Sequence, residues 1–216
     1  MITILRHTMK QNRYFLIPAV IWFVLGGLCL MLFSRSELFF FVNRHHTLFF
    51  DGLNTAFSAF GRGDLIPLIL LSLLLIPAFR NKNYISTTLI FGALVPLSIY
   101  LLKLFFNSPR PLKYYPNHEI HTVPWLDNLY ETSFPSGHTI GAFGFFMLLS
   151  LYLPPKQKKW SMLFFLLALA CAYSRMYLGQ HFFADVYAGS LIGTSSALLV
   201  YLIGSRYIPH PEQQIP

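Results

Sequence analysis

The sequence predicts an all-α fold, a polytopic membrane bundle with six transmembrane helices. Of its 216 residues, 55% are hydrophobic and only 11% are charged, whereas soluble domains carry about 25% charged residues. Apolar runs close to the roughly 20 residues that a helix needs to cross a bilayer recur along the chain. We therefore expect one integral membrane domain over residues 1–216, with its core at about 15–205.

Six apolar runs fit transmembrane helices, at residues 15–33, 65–79, 84–106, 137–153, 161–178 and 184–204. The first run is as long as a full span and lacks a small-residue cleavage site, so we expect a retained helix rather than a signal peptide. The second is short, and it either extends back through Phe60 or lies tilted. Pro18, Pro67 and Pro96 fall inside spans, where membrane helices tolerate proline.

Three segments are not expected to span. Residues 34–64 mix apolar and charged side chains, which indicates one or two interfacial amphipathic helices between the first and second spans. The proline-containing tail 205–216 is expected to be a loose end. The long segment 107–135 carries Tyr114, Tyr115, Trp125 and Tyr130, which suit an interfacial aromatic belt or a lid.

Cys29 and Cys171 lie inside apolar runs, so we expect buried thiols and no disulfide framework.

The first of three chemically informative motifs is KLFFNSPRP, from Lys103 to Pro111. Lys103 lies near the end of the third predicted span, where a lysine alone could equally snorkel to the headgroups. Arg110 stands between two prolines, which end the helix and stiffen the chain around it. Arginine suits bidentate contact with phosphate oxygens, and lysine acts as a point charge.

The second motif, PSGH, opens the fourth predicted span at Pro135–His138. Proline and glycine next to a helix start leave free backbone N–H groups, and a helix N-terminus attracts anions. Ser136 can serve as the N-cap and can also donate its hydroxyl. A plain capped helix start would explain Ser136 and Gly137, but it would not explain His138.

The third motif is SRMYLGQHFFAD, from Ser174 to Asp185. Arg175 ends the fifth span, and Asp185 follows His181 by four residues, which places both side chains on one helical face. A carboxylate on one ring nitrogen fixes the tautomer and raises the basicity of the other, as an activated nucleophile requires. The alternative is a pair that only stabilises a helix end, although charges at span boundaries are more often functional.

The distribution of cations predicts the orientation. With six spans, one side of the membrane carries nine Lys and Arg residues: Arg6, Lys10, Arg13, Arg80, Lys82, Lys156, Lys158, Lys159 and Arg206. The other side carries seven, of which Lys103, Arg110 and Arg175 belong to the motifs, so four remain. Lys and Arg accumulate in cytoplasmic loops. We therefore expect both termini on the cytoplasmic side of a bacterial inner membrane and the three motifs on the periplasmic side. The net charge of +8 then reflects topology rather than nucleic-acid binding.

In their order and spacing, the three motifs resemble those of the type 2 phosphatidic acid phosphatase and vanadium haloperoxidase superfamily. The resemblance implies a metal-independent phosphatase without a cofactor. It implies that Lys103, Arg110, Arg175, Ser136 and Gly137 bind phosphate. His181 would attack phosphorus to form a phosphohistidine, Asp185 would orient it, and His138 would act as general acid and then general base.

A site at the outer membrane boundary favours a lipid phosphate as substrate. The candidates are undecaprenyl diphosphate, phosphatidylglycerol phosphate, phosphatidic acid and a lipid A phosphate. The motifs do not distinguish among these four lipids, because they contact only the phosphate that the four share. The alternatives are a haloperoxidase, a non-catalytic lipid-binding or transport protein, and a phosphatase or phosphotransferase acting on a soluble ester. The polar residues expected to be ordinary loop residues are Asp64, Asp127, Glu131, His118 and His121. The sequence predicts no oligomeric state.

Overall fold

The computed structural model describes residues 2–76, 79–115 and 120–207, and over these residues the chain forms ten α-helices. They are α1 (Ile2–Gln11), α2 (Arg13–Leu32), α3 (Arg35–Asn43), α4 (Leu48–Ala59), α5 (Leu65–Ser72), α6 (Lys82–Phe106), α7 (Pro111–Tyr114), α8 (Gly137–Tyr152), α9 (Ser161–Tyr177) and α10 (Phe183–Tyr207). Short 3₁₀ helices follow α5 at Leu73–Leu75 and precede α9 at Pro155–Trp160. The predicted all-α fold is confirmed.

Helices occupy all six positions where the sequence predicts spans. Within the described residues, four helical segments are long and apolar enough to cross a membrane: Arg13–Leu32, Lys82–Tyr114, Pro155–Tyr177 and Phe183–Gly204. Two shorter apolar helices, Leu65–Leu75 and Gly137–Tyr152, stand at the second and fourth predicted spans. The count of six spans therefore stays a prediction. The expected loose end falls mostly on residues 208–216, which lie outside the described residues.

Helix α8 lies at the centre of the bundle. Thirteen of its sixteen residues are buried, and it packs mainly against α10 and α9. At about 1.5 Å per residue, a helix of this length is shorter than the roughly 30 Å hydrocarbon core. Because its neighbours surround it, α8 needs no lipid-facing surface of its own.

The peripheral helices α2 and α6 present apolar side chains outward. Met31 is 83% exposed and Phe105 is 81% exposed, and many leucines and valines on the same two helices are also exposed. Exposed apolar surface of this extent is typical of contact with lipid rather than water. The arrangement agrees with a polytopic membrane protein.

Two helices, α3 and α4, form where the sequence predicts interfacial amphipathic helices. Ser34 and Glu37 form a reciprocal capping box at the start of α3, which satisfies free backbone N–H groups there. Helix α4 packs along α9 and buries Ser58 in that contact. Cys171 is buried and Cys29 is only partly buried, and both thiols are free, so the expectation of two buried thiols is correct for Cys171 alone.

Candidate active site

The turn between α9 and α10 explains the spacing of the third motif. Helix α9 ends in a Schellman motif, in which Gln180 N donates to Arg175 O at 3.0 Å and Gly179 N donates to Met176 O at 3.0 Å. Gly179 has φ +71°, in the left-handed region that glycine adopts without strain. His181 N also donates to Arg175 O, at 3.1 Å. The turn therefore fixes His181 beside the last turn of α9, which carries Arg175. The expectation that His181 and Asp185 share a helical face is wrong, because α10 begins only at Phe183 and His181 lies in the turn before it.

His181 is almost fully buried, with 1% of its surface exposed. A guanidinium nitrogen of Arg110 lies 3.3 Å from Nε2 of His181. Because a guanidinium only donates hydrogen bonds, Nε2 must be the acceptor, and the ring proton belongs on Nδ1. Nδ1 faces Oδ2 of Asp185 and Oγ of Ser133, each at 3.4 Å. The lone pair of Nε2 thus points toward the cations.

The pKa of His181 favours a neutral imidazole. Burial lowers the pKa well below its ordinary value, and the positive charges of Arg110, Arg175 and Lys103 lower it further. Only the neutral ring has a free lone pair to attack an electrophile. The environment therefore keeps His181 in its nucleophilic form.

Asp185 is held by more than the histidine. Its Oδ2 accepts from Ser133 Oγ at 2.5 Å and from Phe182 N at 2.9 Å. The second bond links the carboxylate to the residue before α10, as one half of a capping box does. Its backbone oxygen accepts from Ser136 N at 3.1 Å, which joins the starts of α8 and α10.

Arg110 is fixed by backbone groups on both sides. Its own N donates to Tyr130 O at 2.9 Å, and its Nε donates to Glu131 O at 2.8 Å. One Nη donates to Gln180 O at 3.0 Å. The guanidinium is therefore held against His181 by the segment 120–133 and by the α9–α10 turn.

Arg175 contributes a second buried guanidinium, with 5% of its surface exposed. One Nη donates to Ser58 Oγ of helix α4. Its buried Nε has no hydrogen-bond partner among the residues that the structure describes. A buried guanidinium N–H without an acceptor is costly, and an anion bound beside it would satisfy the group.

The start of α8 closes the site. Ser136 caps the helix, and its Oγ accepts from Thr139 Oγ1 at 3.0 Å and from Thr139 N at 3.4 Å. A side chain at Gly61 would overlap the carbonyl of His138, so α8 begins directly against the end of α4. This packing leaves His138 partly exposed to two cavities.

The two cavities meet at Gly63 and His138. The inner groove, as we name it, has about 750 Å³, is mainly apolar, lies between α5, α6 and α8, and reaches Lys103, Gly137 and His138. The outer chamber has about 540 Å³, is bounded by α4 and the segment 120–133, and reaches Arg175 and His138. A substrate bound at His138 can therefore contact both an apolar and a polar space.

The structure brings together all eight residues that the sequence singles out. The contacts described above link four of them: Arg110, His181, Asp185 and Ser136. The inner groove is lined by three more, Lys103, Gly137 and His138. Arg175 lines the outer chamber together with His138. Three further contacts come from residues that sequence reasoning missed, namely Ser58, Ser133 and Gln180. Only two of them gave a signal, because Gln180 stands inside the third motif and Ser133 lies two residues before the second.

The polar residues expected in loops have different surroundings. Asp64 and Asp127 line the outer chamber. Glu131 pairs with Lys113, and His121 Nε2 lies 2.7 Å from Asp51 Oδ1. His118 lies outside the described residues. The segment 120–133 is attached to the bundle by these bonds and by Trp125 Nε1, which donates to Thr55 Oγ1 at 3.0 Å.

Comparison with known proteins finds relatives among membrane phosphatases. The chain is 27% identical over 192 residues to the lipid A 4'-phosphatase of Bacteroides thetaiotaomicron, covering 84% of this chain and 81% of that protein. It is 40% identical over 84 residues to the bacitracin transport permease protein BcrC of Bacillus licheniformis. That match spans only 37% of this chain and 39% of the length of BcrC.

The fold is similar to that of a solved structure. The crystal structure of Aquifex aeolicus LpxE superposes with a TM-score of 0.66 at 29% identity, covering 79% of this chain and 97% of LpxE. The family model of the PAP2 superfamily matches residues 81–208, which hold all eight site residues. With a match over more than half of its length and the three motifs assembled at one end of the bundle, the chain belongs to the PAP2 superfamily.

Proposed function

We propose that this protein is an integral membrane phosphatase that hydrolyses a phosphomonoester or diphosphate of an envelope lipid. The observation that carries the proposal is the buried Nε of Arg175, which has no hydrogen-bond partner within the described part of the chain. It lies in a site with two further cations and a neutral, buried histidine. Fixed donors aimed at an anion stabilise the charge that develops in a phosphoryl-transfer transition state. The similarity to a lipid A 4'-phosphatase supports the same reaction class.

In the first step, His181 Nε2 attacks phosphorus in line with the leaving oxygen. The N–P bond forms as the P–O bond breaks, and His138 gives its proton to the leaving oxygen. Asp185 holds the Nδ1 proton of His181 and stabilises the positive charge on the ring. Lys103, Arg110 and Arg175 hold the phosphoryl oxygens, together with Ser136 and the Gly137 backbone.

In the second step, His138 accepts a proton from water. The water oxygen attacks phosphorus, the N–P bond breaks, and inorganic phosphate leaves with His181 restored. The protein itself supplies the positive charge for both steps, so we expect activity without a metal or cofactor.

The site is proposed to face the periplasm, with both termini in the cytoplasm of a bacterial inner membrane. The excess of Lys and Arg on the opposite side of the predicted topology supports this orientation. The lipid phosphate would enter from the bilayer, and the phosphate product would leave to the aqueous side.

Phosphate release by the detergent-purified protein tests the proposal. The substrates are undecaprenyl diphosphate, phosphatidylglycerol phosphate, phosphatidic acid, lipid A and, as a soluble ester, glucose 6-phosphate. We expect release from at least one lipid in the presence of EDTA, inhibition by orthovanadate, and none from His181→Ala. His7→Ala is the matched control, because His7 is exposed near the N-terminus.

Two results would overturn the proposal. Full activity in His181→Ala would exclude the proposed nucleophile, and dependence on Mg²⁺ would exclude the metal-free mechanism. The name of the BcrC relative raises a transport role as a second candidate. Lipid binding without phosphate release, unchanged in His181→Ala, would favour that role.

A further inference from the structure

The outer chamber is larger than phosphate release requires. Its volume is about 540 Å³, while a water molecule occupies about 30 Å³. Pockets for drug-sized ligands have about 300–1,000 Å³. The chamber therefore has room for a bulky polar group next to the bound phosphate.

The charges in the chamber disfavour a second phosphate. Arg62 forms a bidentate pair with Asp64, with Nε donating to Oδ1 at 3.0 Å and an Nη donating to Oδ2 at 2.6 Å. Asp127 is exposed and lines the same space. Arg175 is already assigned to the transferred phosphate. Two carboxylates thus face one guanidinium, and a second anionic group would be repelled.

The same groups suit hydroxyls. A carboxylate accepts hydrogen bonds from hydroxyl groups, and a guanidinium donates to their oxygens. Gln180 also lines the chamber, and its amide nitrogen keeps a second N–H beside the one that it donates to Asp127 O at 3.2 Å. The side chains of Arg62 and Asp64 are 53% and 60% exposed, so they can exchange water for a ligand without leaving the protein surface.

The inner groove adds a second requirement. It joins the outer chamber at Gly63 and His138, and its walls include Ile66, Leu70 and Phe91. His138 is the residue that would protonate the leaving oxygen. The leaving group at this position must therefore offer a polar body to the chamber and hydrocarbon to the groove.

We propose that the outer chamber binds the sugar of a phosphorylated glycolipid, with the Arg62–Asp64 pair as its specificity determinant. This inference rests on the proposed phosphatase function and names its substrate class. Diacylglycerol, the leaving group of phosphatidic acid, has no hydroxyl-rich body to fill the chamber. The leaving group of a prenyl diphosphate is a phosphate, which the two carboxylates repel.

Rates of phosphate release from four substrates test the assignment, using the full-length protein in detergent. The substrates are a tetraacylated glucosamine disaccharide monophosphate, phosphatidic acid, undecaprenyl diphosphate and glucosamine 1-phosphate. We expect the highest kcat/KM with the glycolipid. Glucosamine 1-phosphate should react far more slowly, because it has no chain to occupy the inner groove.

Two variants probe the pair. Arg62→Met removes hydrogen bonds to a charged group, and we expect kcat/KM for the glycolipid to fall about tenfold or more while that for phosphatidic acid stays within about twofold. Asp64→Asn should also weaken glycolipid turnover, and it should increase turnover of undecaprenyl diphosphate because one repelling charge is lost. Arg13→Met, at the exposed first residue of α2, is the matched control and should change nothing.

A binding measurement separates this inference from the proposed function. Binding of the dephosphorylated glycolipid is measured by thermophoresis, which needs no turnover, and Arg62→Met should raise its Kd about tenfold by loss of the same contacts. Unchanged Kd in Arg62→Met, an equal loss on all substrates, or a preference of the natural chain for phosphatidic acid would each overturn the sugar site. An inactive protein that binds the glycolipid with the expected Arg62 dependence would overturn the phosphatase alone.

Discussion

Asp185 owes its position to a hydroxyl outside the three motifs. Ser133 is fully buried, donates to Asp185 Oδ2 at 2.5 Å and lies 3.4 Å from His181 Nδ1. The carboxylate of Asp185, and not the hydroxyl of Ser133, stabilises the positive charge on the His181 ring once Nε2 has bonded to phosphorus. Ser133 therefore acts as a positioning residue, which holds Asp185 where it can orient the nucleophile.

Ser133→Ala should lower kcat by about tenfold to a hundredfold, because hydrogen bonds to charged groups contribute about 1.5–3 kcal/mol. KM should change little, since Ser133 is not among the proposed phosphate-binding residues. The measurement is steady-state kinetics beside Ser36→Ala, whose hydroxyl is exposed and bonds Tyr115. An unchanged kcat, or an equal fall for both variants, would show that the bond to Asp185 has no catalytic consequence.

Individual site residues were predictable where chemistry and backbone signals coincide. Arg110 between prolines and His138 after a helix cap each combine a chemical group with a backbone signal, and the structure brings both into one cluster with His181 and Arg175. Ser58 lies on α4, more than 100 positions before its partner Arg175, and a serine on an amphipathic helix has no distinguishing pattern. Contacts of this kind depend on tertiary packing, and no local pattern in a single sequence indicates them.

Among the elements, α8 and α10 determine how closely the two histidines approach. Gly189 and Gly193 are spaced four apart on α10, the small-residue pattern that lets membrane helices pack backbone to backbone. A Cβ on Gly189 would lie 2.9 Å from Ser136 O, and one on Gly193 would overlap Ile140 O. The backbones of α8 and α10 are therefore in direct contact just below the site.

Gly193→Ala should force these helices apart. Overpacking of this kind costs about 1–3 kcal/mol, so we expect a lower Tm in detergent. Phosphate release should also fall, because the bond from Ser136 N to Asp185 O would lengthen. Thermal unfolding and turnover are measured beside Gly52→Ala, where a Cβ on α4 meets nothing within 4 Å. A Gly193→Ala protein with natural Tm and activity would contradict the close contact.

Helix positions followed from hydropathy, and the length of the helix was wrong only for the second predicted span. The predicted span at 137–153 corresponds to α8 at Gly137–Tyr152, since PSGH marks its start and Pro154 follows its end. The predicted span at 65–79 is instead an eight-residue helix followed by a 3₁₀ turn. Apolar composition indicates that a segment is removed from water, but it does not distinguish contact with lipid from contact with other helices.

In the whole molecule, polar chemistry is concentrated at one end of an apolar bundle. The C-terminal ends of α6 and α9 and the N-terminal ends of α8 and α10 meet there. At the opposite end, Lys158 Nζ donates to Asn12 Oδ1 at 3.0 Å and to Ser150 O at 2.8 Å, which ties the segment before α9 to the ends of α2 and α8. The two ends should therefore lie on opposite sides of the membrane.

Cysteine labelling in whole cells can determine which end faces outward. In a Cys29→Ser background, Tyr130→Cys places a thiol on the exposed segment near the site, and Lys156→Cys places one on the exposed turn at the other end. Cys171 is buried and should not react. We expect a membrane-impermeant maleimide to label Tyr130→Cys in intact cells and Lys156→Cys only after the inner membrane is permeabilised. The reverse pattern would place the site in the cytoplasm, and the lipid phosphates of the outer leaflet would then be out of reach of His181.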